Sequence, residues 1–509
     1  MSMKTLREWH DFYLTLDVLL LVDIFQRFRL TMLKSQGLDC LHFPSLPSMT
    51  LQLALKPTGV ELELITRADI YLMIEAGIRG GLSFVSQRHA KANFPEMPDY
   101  RPDLPTSHLL YIDCNSLYTT CQSYPLPVGG FRFLTESELA DFDVASVPAD
   151  SETGFFIECD LQYPDHLHSL HNEYPLAPEH IQIEEEMLSD THRFMLEETE
   201  VEHVRCTKLV SNLMDKTRYV THYRCLQFYI KHGMVLTKVH RVVSFTQRPF
   251  MQPFIKLCND GRKNAKSDFE SSLYKLIANS FYGKSVENIR NRSNIRLISD
   301  PVKFERAVGK ASYKRSMIIN QDLAMVENNR CKITMTKPIA IGCAILEIAK
   351  FVMYEFYYDC LVPKFGDRFH LCFTDTDSFI CHIESEDLVS ELHEISEWLD
   401  TSNFESKHPL YSKVNFRTLG KFKSETGSIP PIEFCGLRSK MYSCDTNWCE
   451  IVSESKGSAE GVRAKKRETR RVHARFEPLD KDVMQISQIS FQSSSRDDTK
   501  TYKSLSLVC

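Results

Sequence analysis

The sequence runs to 509 residues, 43% of them hydrophobic and 25% charged, with a formal net charge of −6. That length allows for about three to four domains, and the negative balance excludes a uniformly basic polyanion binder. The start "MSM" leads into charged sequence, and the most apolar runs are too short or too charged to span a bilayer, so an intracellular protein without signal peptide or membrane span is expected, nuclear if the host is eukaryotic.

The opening "WHDFYLTLDVLLLVDIFQRFRL" (9–30) has helical apolar spacing and predicts an amphipathic helix. A second helix is expected over 66–78, stopped by Gly80 and Gly81. A proline-rich linker ends near residue 105, and "HLLYIDCNSLY" (108–118) then reads as a central strand. Residues 131–235 are mixed, with an acidic patch and no catalytic pattern; 249–285 predict two helical pieces broken at "NDG". From 337 to 362 a long helix leads into the alternating "RFHLCF" and then "FTDTDSFICHI" (373–383), which reads as strand, tight acidic turn, strand. The serine-rich end is weakly patterned. The 16 cysteines are scattered without any CxxC, which points to reduced core thiols and away from a structural zinc site. Two stretches, "GRKNAK" (261–266) and "VRAKKRETRRVHAR" (462–475), are locally basic.

Asp375 and Asp377 in one hairpin turn repel each other unless a counter-charge arrives. A divalent cation with oxygen ligands and open positions supplies that charge, and Mg²⁺ has this habit. Asp113, at the end of the strand "LLYID", is the candidate third carboxylate, because strand ends converge at one edge of a shared sheet. Alone, an Asp-Thr-Asp turn is more often a capped turn than a metal site; the combination carries the reading. In "KLIANSFYGK" (275–284), Lys275, Asn279 and Tyr282 share one helical face, with Phe269, Leu273, Leu276 and Ser280 expected to pack on the protein. Lys275 can neutralise a triphosphate, Tyr282 can stack on a base pair, and Gly283 permits close approach. Arg262, Lys263 and Lys266 add positive charge upstream, and Tyr118, expected at the strand end, is a bulky ring placed to exclude a ribose 2′-hydroxyl.

"DCNSLY", "KLIANSFYG", "FTDTDSF" and "LRSKMY" (437–442), in this order, resemble motifs A, B, C and Lys-x-Tyr of family B DNA polymerases, closest to the protein-primed branch. "QSYPLPVGGF" and "LGKFKSE" look like polymerases of Maverick/Polinton transposons and related viral or plasmid elements. The resemblance implies an α+β right-hand polymerase, with an antiparallel palm sheet, helical fingers, a short thumb and an exonuclease-domain remnant. It implies two Mg²⁺ ions on Asp113 and Asp377, with Asp375 in support. Tyr118 would be the sugar gate; Lys275, Arg262 and Lys263 would hold the triphosphate; Asn279 and Tyr282 would line the base pair. Gly80, Gly81, Gly283, Lys440 and Tyr442 would contact DNA, the glycine pair on the template and Lys440 with Tyr442 at the primer end. Partners implied are template and primer DNA, deoxynucleotides and a terminal (priming) protein.

The implied domains are an exonuclease remnant (1–36), a connector with the glycine segment (37–105), palm (106–130), a first insertion for the priming protein (131–235) and fingers (236–290). A second insertion (291–335), palm again (336–450) and a partial thumb with basic tail (451–509) complete it. Tyr13 and Asp17 resemble the third exonuclease motif, but its two upstream carboxylate motifs do not occur in this sequence. An N-terminally truncated polymerase without proofreading is therefore expected. The competing expectation is a catalytically silent remnant that only binds nucleic acid.

Overall fold

Alternating apolar residues in chain segments far apart build one central sheet, seen in a computed structural model that describes residues 3–446. Strands β1 (Ser83–Val85), β2 (His89–Lys91) and β3 (Ser107–Cys114) follow the glycine pair. Strands β4 (Phe369–Asp375), β5 (Ser378–Glu384), β6 (Leu399–Asp400) and β7 (Phe422–Ser424) come much later, before β8 (Glu433–Arg438) and β9 (Met441–Asp445). The central sheet has the order β1-β4-β5-β3-β7-β6, antiparallel except for the β6–β7 edge pair. A smaller sheet, β9-β8-β2, lies beside it.

Period-two alternation sends Leu110, Ile112 and Cys114 of β3 into the main core, and Leu109 into a second apolar cluster with Phe373, Ile380 and Phe434, against which Tyr111 and Tyr442 pack. Asp113 shares the latter face. A one-residue slip of β3 would bury the carboxylate under the sheet, so the hydrophobic pattern itself fixes where the acid points.

Five helices matter for the site: α1 (Leu6–Gln36), α2 (Leu117–Gln122), α3 (Gln252–Lys263), α4 (Asp268–Ser285) and α5 (Ile339–Glu355). Helix α5 is buried along almost its whole length, and Gly342 is where it meets the end of α4: a Cβ there would overlap Ser285 Oγ and Val286 Cγ1. Gly342→Val is accordingly expected to destabilise the protein by about 1–3 kcal/mol or more through overpacking, as read from the midpoint of a urea titration.

Three expectations about helices need correction. The break between α3 and α4 falls at 264–267, not at "NDG", because Gly261 stays helical with its Cα against the Tyr274 ring, where a Cβ would come within 2.5 Å of Tyr274 Cε1. The buried stripe of α4 is Leu273, Ile277, Ala278, Phe281 and Ser285, while Phe269 and Leu276 are exposed. The winning stripe is the one that meets α3, α5 and the helix Leu46–Leu55. Helix α1 forms as expected, with Thr5 as N-cap and Gly37 in the left-handed region at its end, yet its apolar residues face outward and only Met32 is buried.

The α+β architecture is as expected. Residues 131–235 contribute to a four-stranded sheet (Leu126–Phe133, Val235–Arg248, Thr153–Gln162, Lys216–His222) and a two-stranded ribbon (Glu179–Ile183, Cys206–Val210). Residues 291–335 form a three-stranded sheet of their own. Among the described residues no helix is long and apolar enough to cross a membrane. The expected thumb and basic tail at 451–509 lie outside the described residues.

Candidate active site

Antiparallel pairing of β3 with β5 sets Asp113 opposite Ser378, so Asp113 stands beside Asp377, whose carbonyl accepts from Cys114 N at 2.7 Å. The β4–β5 connection is tight: Asp377 N donates to Asp375 O at 2.7 Å around Thr376, which has φ 65°. That is γ-turn geometry, and a β-branched residue held at positive φ costs on the order of 1–3 kcal/mol. The cost is met from outside the turn. Thr376 N donates to Leu82 O at 2.6 Å, Ser83 pairs with Asp375, and Gly81 lies so close that a Cβ would come within 2.5 Å of Thr376 Oγ1. Gly80, by contrast, faces open space.

Burial pushes the Asp113 carboxyl up to about 8, with the Asp377 and Glu425 charges adding to it and Lys275 opposing. Burial also raises Asp377, with Asp375 adding and Lys275 and Lys440 opposing. These two half-buried, mutually repelling carboxylates form an all-oxygen donor set suited to a divalent cation. Asp375 is engaged differently: Lys440 Nζ donates to both of its oxygens at 2.9 Å. Among the described residues no group of three or more His, Cys, Asp or Glu side chains closes on one point. The donors these two carboxylates offer would leave positions open for oxygens from elsewhere, which is the coordination habit of Mg²⁺.

Tyr118 is not at a strand end. It sits in the first turn of α2, after Ser116 at φ 52°, and stacks on Tyr282 of α4 with ring centroids 3.9 Å apart and planes 19° from parallel. Burial and a hydrogen bond with Tyr282 raise the Tyr118 hydroxyl pKa. Gln122 Nε2 donates to Ala278 O at 3.1 Å, so α2 and α4 are tied where the two rings meet. On α4, Lys275 is exposed, Asn279 and Tyr282 are half-buried, and a Cβ on Gly283 would meet nothing within 4 Å. Arg262 and Lys263 fall in the last turn of α3; Lys263 is exposed, while Arg262 is half-buried with its Nε unpartnered among the described residues. Burial lowers the Arg262 pKa, with the Arg417 charge adding to it.

Lys440 occupies the β8–β9 turn at φ 62°. Tyr442 OH and Tyr111 OH are 2.8 Å apart, and the Tyr442 ring lies 4.5 Å from that of Phe373, so the Lys-x-Tyr stretch is tied to β3 two residues before Asp113. Tyr13 and Asp17 are exposed on α1, with Tyr13 stacked on Trp9.

Sequence reasoning missed three contributors. Glu425 follows β7 with its N bound to Tyr111 O at 2.9 Å, and its charge acts on Asp113. Buried Asp400 accepts from Asn115 Nδ2 at 2.7 Å and from Arg417 N at 2.9 Å, clamping the 415–421 loop onto the end of β3. Burial opposes ionisation of Asp400, but hydrogen bonds from Ser402, Asn115 and Arg417 hold its carboxyl below the ordinary value. Asn115 and Glu425 lie inside the stretches "DCNSLY" and "LGKFKSE", so position within them was the available signal.

A family model described as DNA polymerase type B, organellar and viral, matches residues 2–359, which hold Asp113, Tyr118 and all of α4 but end before the Asp375–Asp377 hairpin. Among solved structures, phi29 DNA polymerase in an orthorhombic crystal form is similar at 15% identity and TM-score 0.49, over 82% of this chain and 57% of that one. Phi29 DNA polymerase complexed with primer-template DNA, and its ternary complex with incoming nucleotide substrates, are each similar at 16% identity and TM-score 0.48 over the same shares. The chain thus spans 57% of the length of these relatives. No curated protein matches it significantly.

Proposed function

The chain belongs to the organellar and viral type B DNA polymerase family, and from that membership we propose that it adds deoxynucleotides to a DNA 3′-hydroxyl under template direction. In the right-hand fold of that family, the central sheet is the palm and α3 with α4 the fingers. The observation that carries the proposal is the pairing of Asp113 with Ser378, which sets Asp113 beside Asp377 under the field of Lys275.

Asp113 and Asp377 would hold two Mg²⁺ ions, which when bound neutralise phosphate charge and ease deprotonation of the primer 3′-hydroxyl. Lys275, with Arg262 and Lys263, neutralises the incoming triphosphate, and Asn279 and Tyr282 line the nascent base pair. The Tyr118 ring closes the sugar side, where a 2′-hydroxyl would collide with it. Lys440 and Tyr442 grip the primer end, with Lys440 already drawn to the site by Asp375. Gly80 and Gly81 pass the template across the catalytic turn, and Gly283 leaves room for DNA along α4. Backbone contacts make duplex binding salt-sensitive and independent of sequence.

The finer reading is protein-primed replication of a mobile or viral DNA element, with residues 131–235 engaging a terminal protein and 291–335 enclosing template. It is supported by the motif variants, by the two-stranded ribbon that lies wholly within 131–235 and by the three-stranded sheet of 291–335.

Primer extension with Mg²⁺ and four deoxynucleotides tests the reaction: elongation is expected, and gel-shift binding without incorporation would instead establish a silent binder. In the same assay Tyr118→Val is expected to relax discrimination against ribonucleotides by at least about tenfold, with unchanged selectivity removing Tyr118 from its role.

A further inference from the structure

Three charges lie together in the interior beneath the glycine pair: Arg79, Glu347 and Lys350 are 5%, 1% and 4% exposed. Glu347 Oε1 is 3.9 Å from Arg79 Nη1 and 3.3 Å from Lys350 Nζ, and its Oε2 accepts from Thr221 Oγ1 at 2.7 Å. The Arg79 guanidinium lies over the Tyr219 ring at 3.9 Å and donates to Val220 O at 2.7 Å. Two cations and one anion leave a buried net charge of +1. A buried ion network of this kind contributes little that apolar packing of the same volume would not, so its value lies in what it holds in place.

What it holds is main chain. Lys350 Nζ donates to the carbonyl of Arg79 at 3.0 Å, the last peptide before Gly80 and Gly81. Two glycines in succession have the widest backbone freedom of any dipeptide, and this pair would be loose without anchors on either side. One anchor is Lys350. Beyond the pair, Leu82 O receives Thr376 N, Ser83 pairs with Asp375, and Ser83 Oγ meets Ser439 Oγ at 2.7 Å, next to Lys440. Residues 79–83 are thus a strap running from the core of α5, across the turn that bears Asp375 and Asp377, to the β8–β9 turn.

We propose that Glu347 and Lys350, acting through Arg79, are positioning residues for the template strand: they fix the height and register of the Gly80–Gly81 strap on the catalytic turn. This rests on the reading that the glycine pair carries template. Neither side chain touches substrate, and their effect is on where DNA seats, not on the nucleotide pocket formed by α2 and α4.

The test compares Lys350→Met, Lys350→Arg and Glu347→Gln in the full chain. It measures the KM for primer–template and the KM for deoxynucleotide separately, with a thermal melt of each variant. Lys350→Met and Glu347→Gln are expected to raise the primer–template KM by about tenfold, equivalent to about 1.4 kcal/mol, while the nucleotide KM stays within about twofold. Lys350→Arg keeps the charge and a donor and restores most of the loss. Both constants moving together in step with lost thermal stability, or neither moving, overturns the proposal and leaves the cluster a scaffold. Should Lys350→Met not fold, Thr221→Val, which strips the hydroxyl partner from Glu347 at nearly constant volume, reads the same split. Gly81→Val separates the two levels: if it too leaves the primer–template KM unchanged, the template reading of the glycines is what fails.

Discussion

Asp377→Asn is expected to lower nucleotide incorporation by on the order of a thousandfold or more, and Asp113→Asn to do the same, with neither change unfolding the protein. The loss is electrostatic. An amide keeps the shape of each side chain but removes the carboxylate that, on the proposed reading, would draw a divalent cation to the end of β3 and the start of β5. The same substitution at Asp113 carries a second, opposite effect on stability. Its carboxyl is raised to about 8 in the folded protein, against about 4 in an unfolded chain. Between those values the folded state holds a proton that the unfolded state has released, so stability is highest below about pH 4 and is lost as pH rises toward 8. In chelator, Asp113→Asn should therefore melt above the wild type at pH 8, with the gap closing toward pH 4. Single-nucleotide incorporation and thermal melts check both halves; an active Asp377→Asn enzyme would remove the hairpin from the chemistry.

How much of this site could be read from the sequence depended on the range of the interaction. Asp113, Asp375 and Asp377 were legible because each lies in a local pattern, an apolar strand that ends in acid or a two-strand turn. Helix α4 was legible as a helix, but its buried face was not. Spacing alone allows Phe269–Leu273–Leu276–Ser280, and only the positions of α3, α5 and the helix Leu46–Leu55 select Leu273–Ile277–Phe281. The same cause hid the exposure of α1, whose apolar stripe predicts a covering partner wherever it forms. Interactions between distant segments left no local trace. Nothing near Asp400 announces Asn115, nothing near Lys350 announces Arg79, and the Lys440–Asp375 pair spans 65 positions. Tyr118 shows an intermediate case: it was expected at the strand end, but a left-handed Ser116 follows the end of the strand and the residue lies on α2, where it meets Tyr282.

Lys275→Ala is expected to cut kcat/KM for nucleotide by on the order of a hundredfold, mostly through the nucleotide KM. The lysine projects from α4 into solvent, and its charge lowers the pKa of both Asp113 and Asp377. One cation therefore acts in two ways. It offers a point charge to a triphosphate arriving over the acids, and it eases the ionisation of carboxyls that burial holds above their ordinary value. Lys440 replaces it only in part: it also favours the charged form of Asp377, but among the described residues Asp113 has Lys275 alone acting this way, and the Lys440 ammonium is shared with both oxygens of Asp375. Removing Lys275 should then shift the acidic limb of the pH–rate profile to higher pH, since each carboxyl loses a neighbour that favours its charged form. Lys275→Arg keeps the charge but replaces a compact ammonium with a planar fork, so it should hold the pH profile near that of the wild type while recovering the nucleotide KM only in part. A rise in nucleotide KM without any shift in the profile would show that Lys275 touches the triphosphate but not the acids. If neither changes, α4 loses its place above the palm carboxylates.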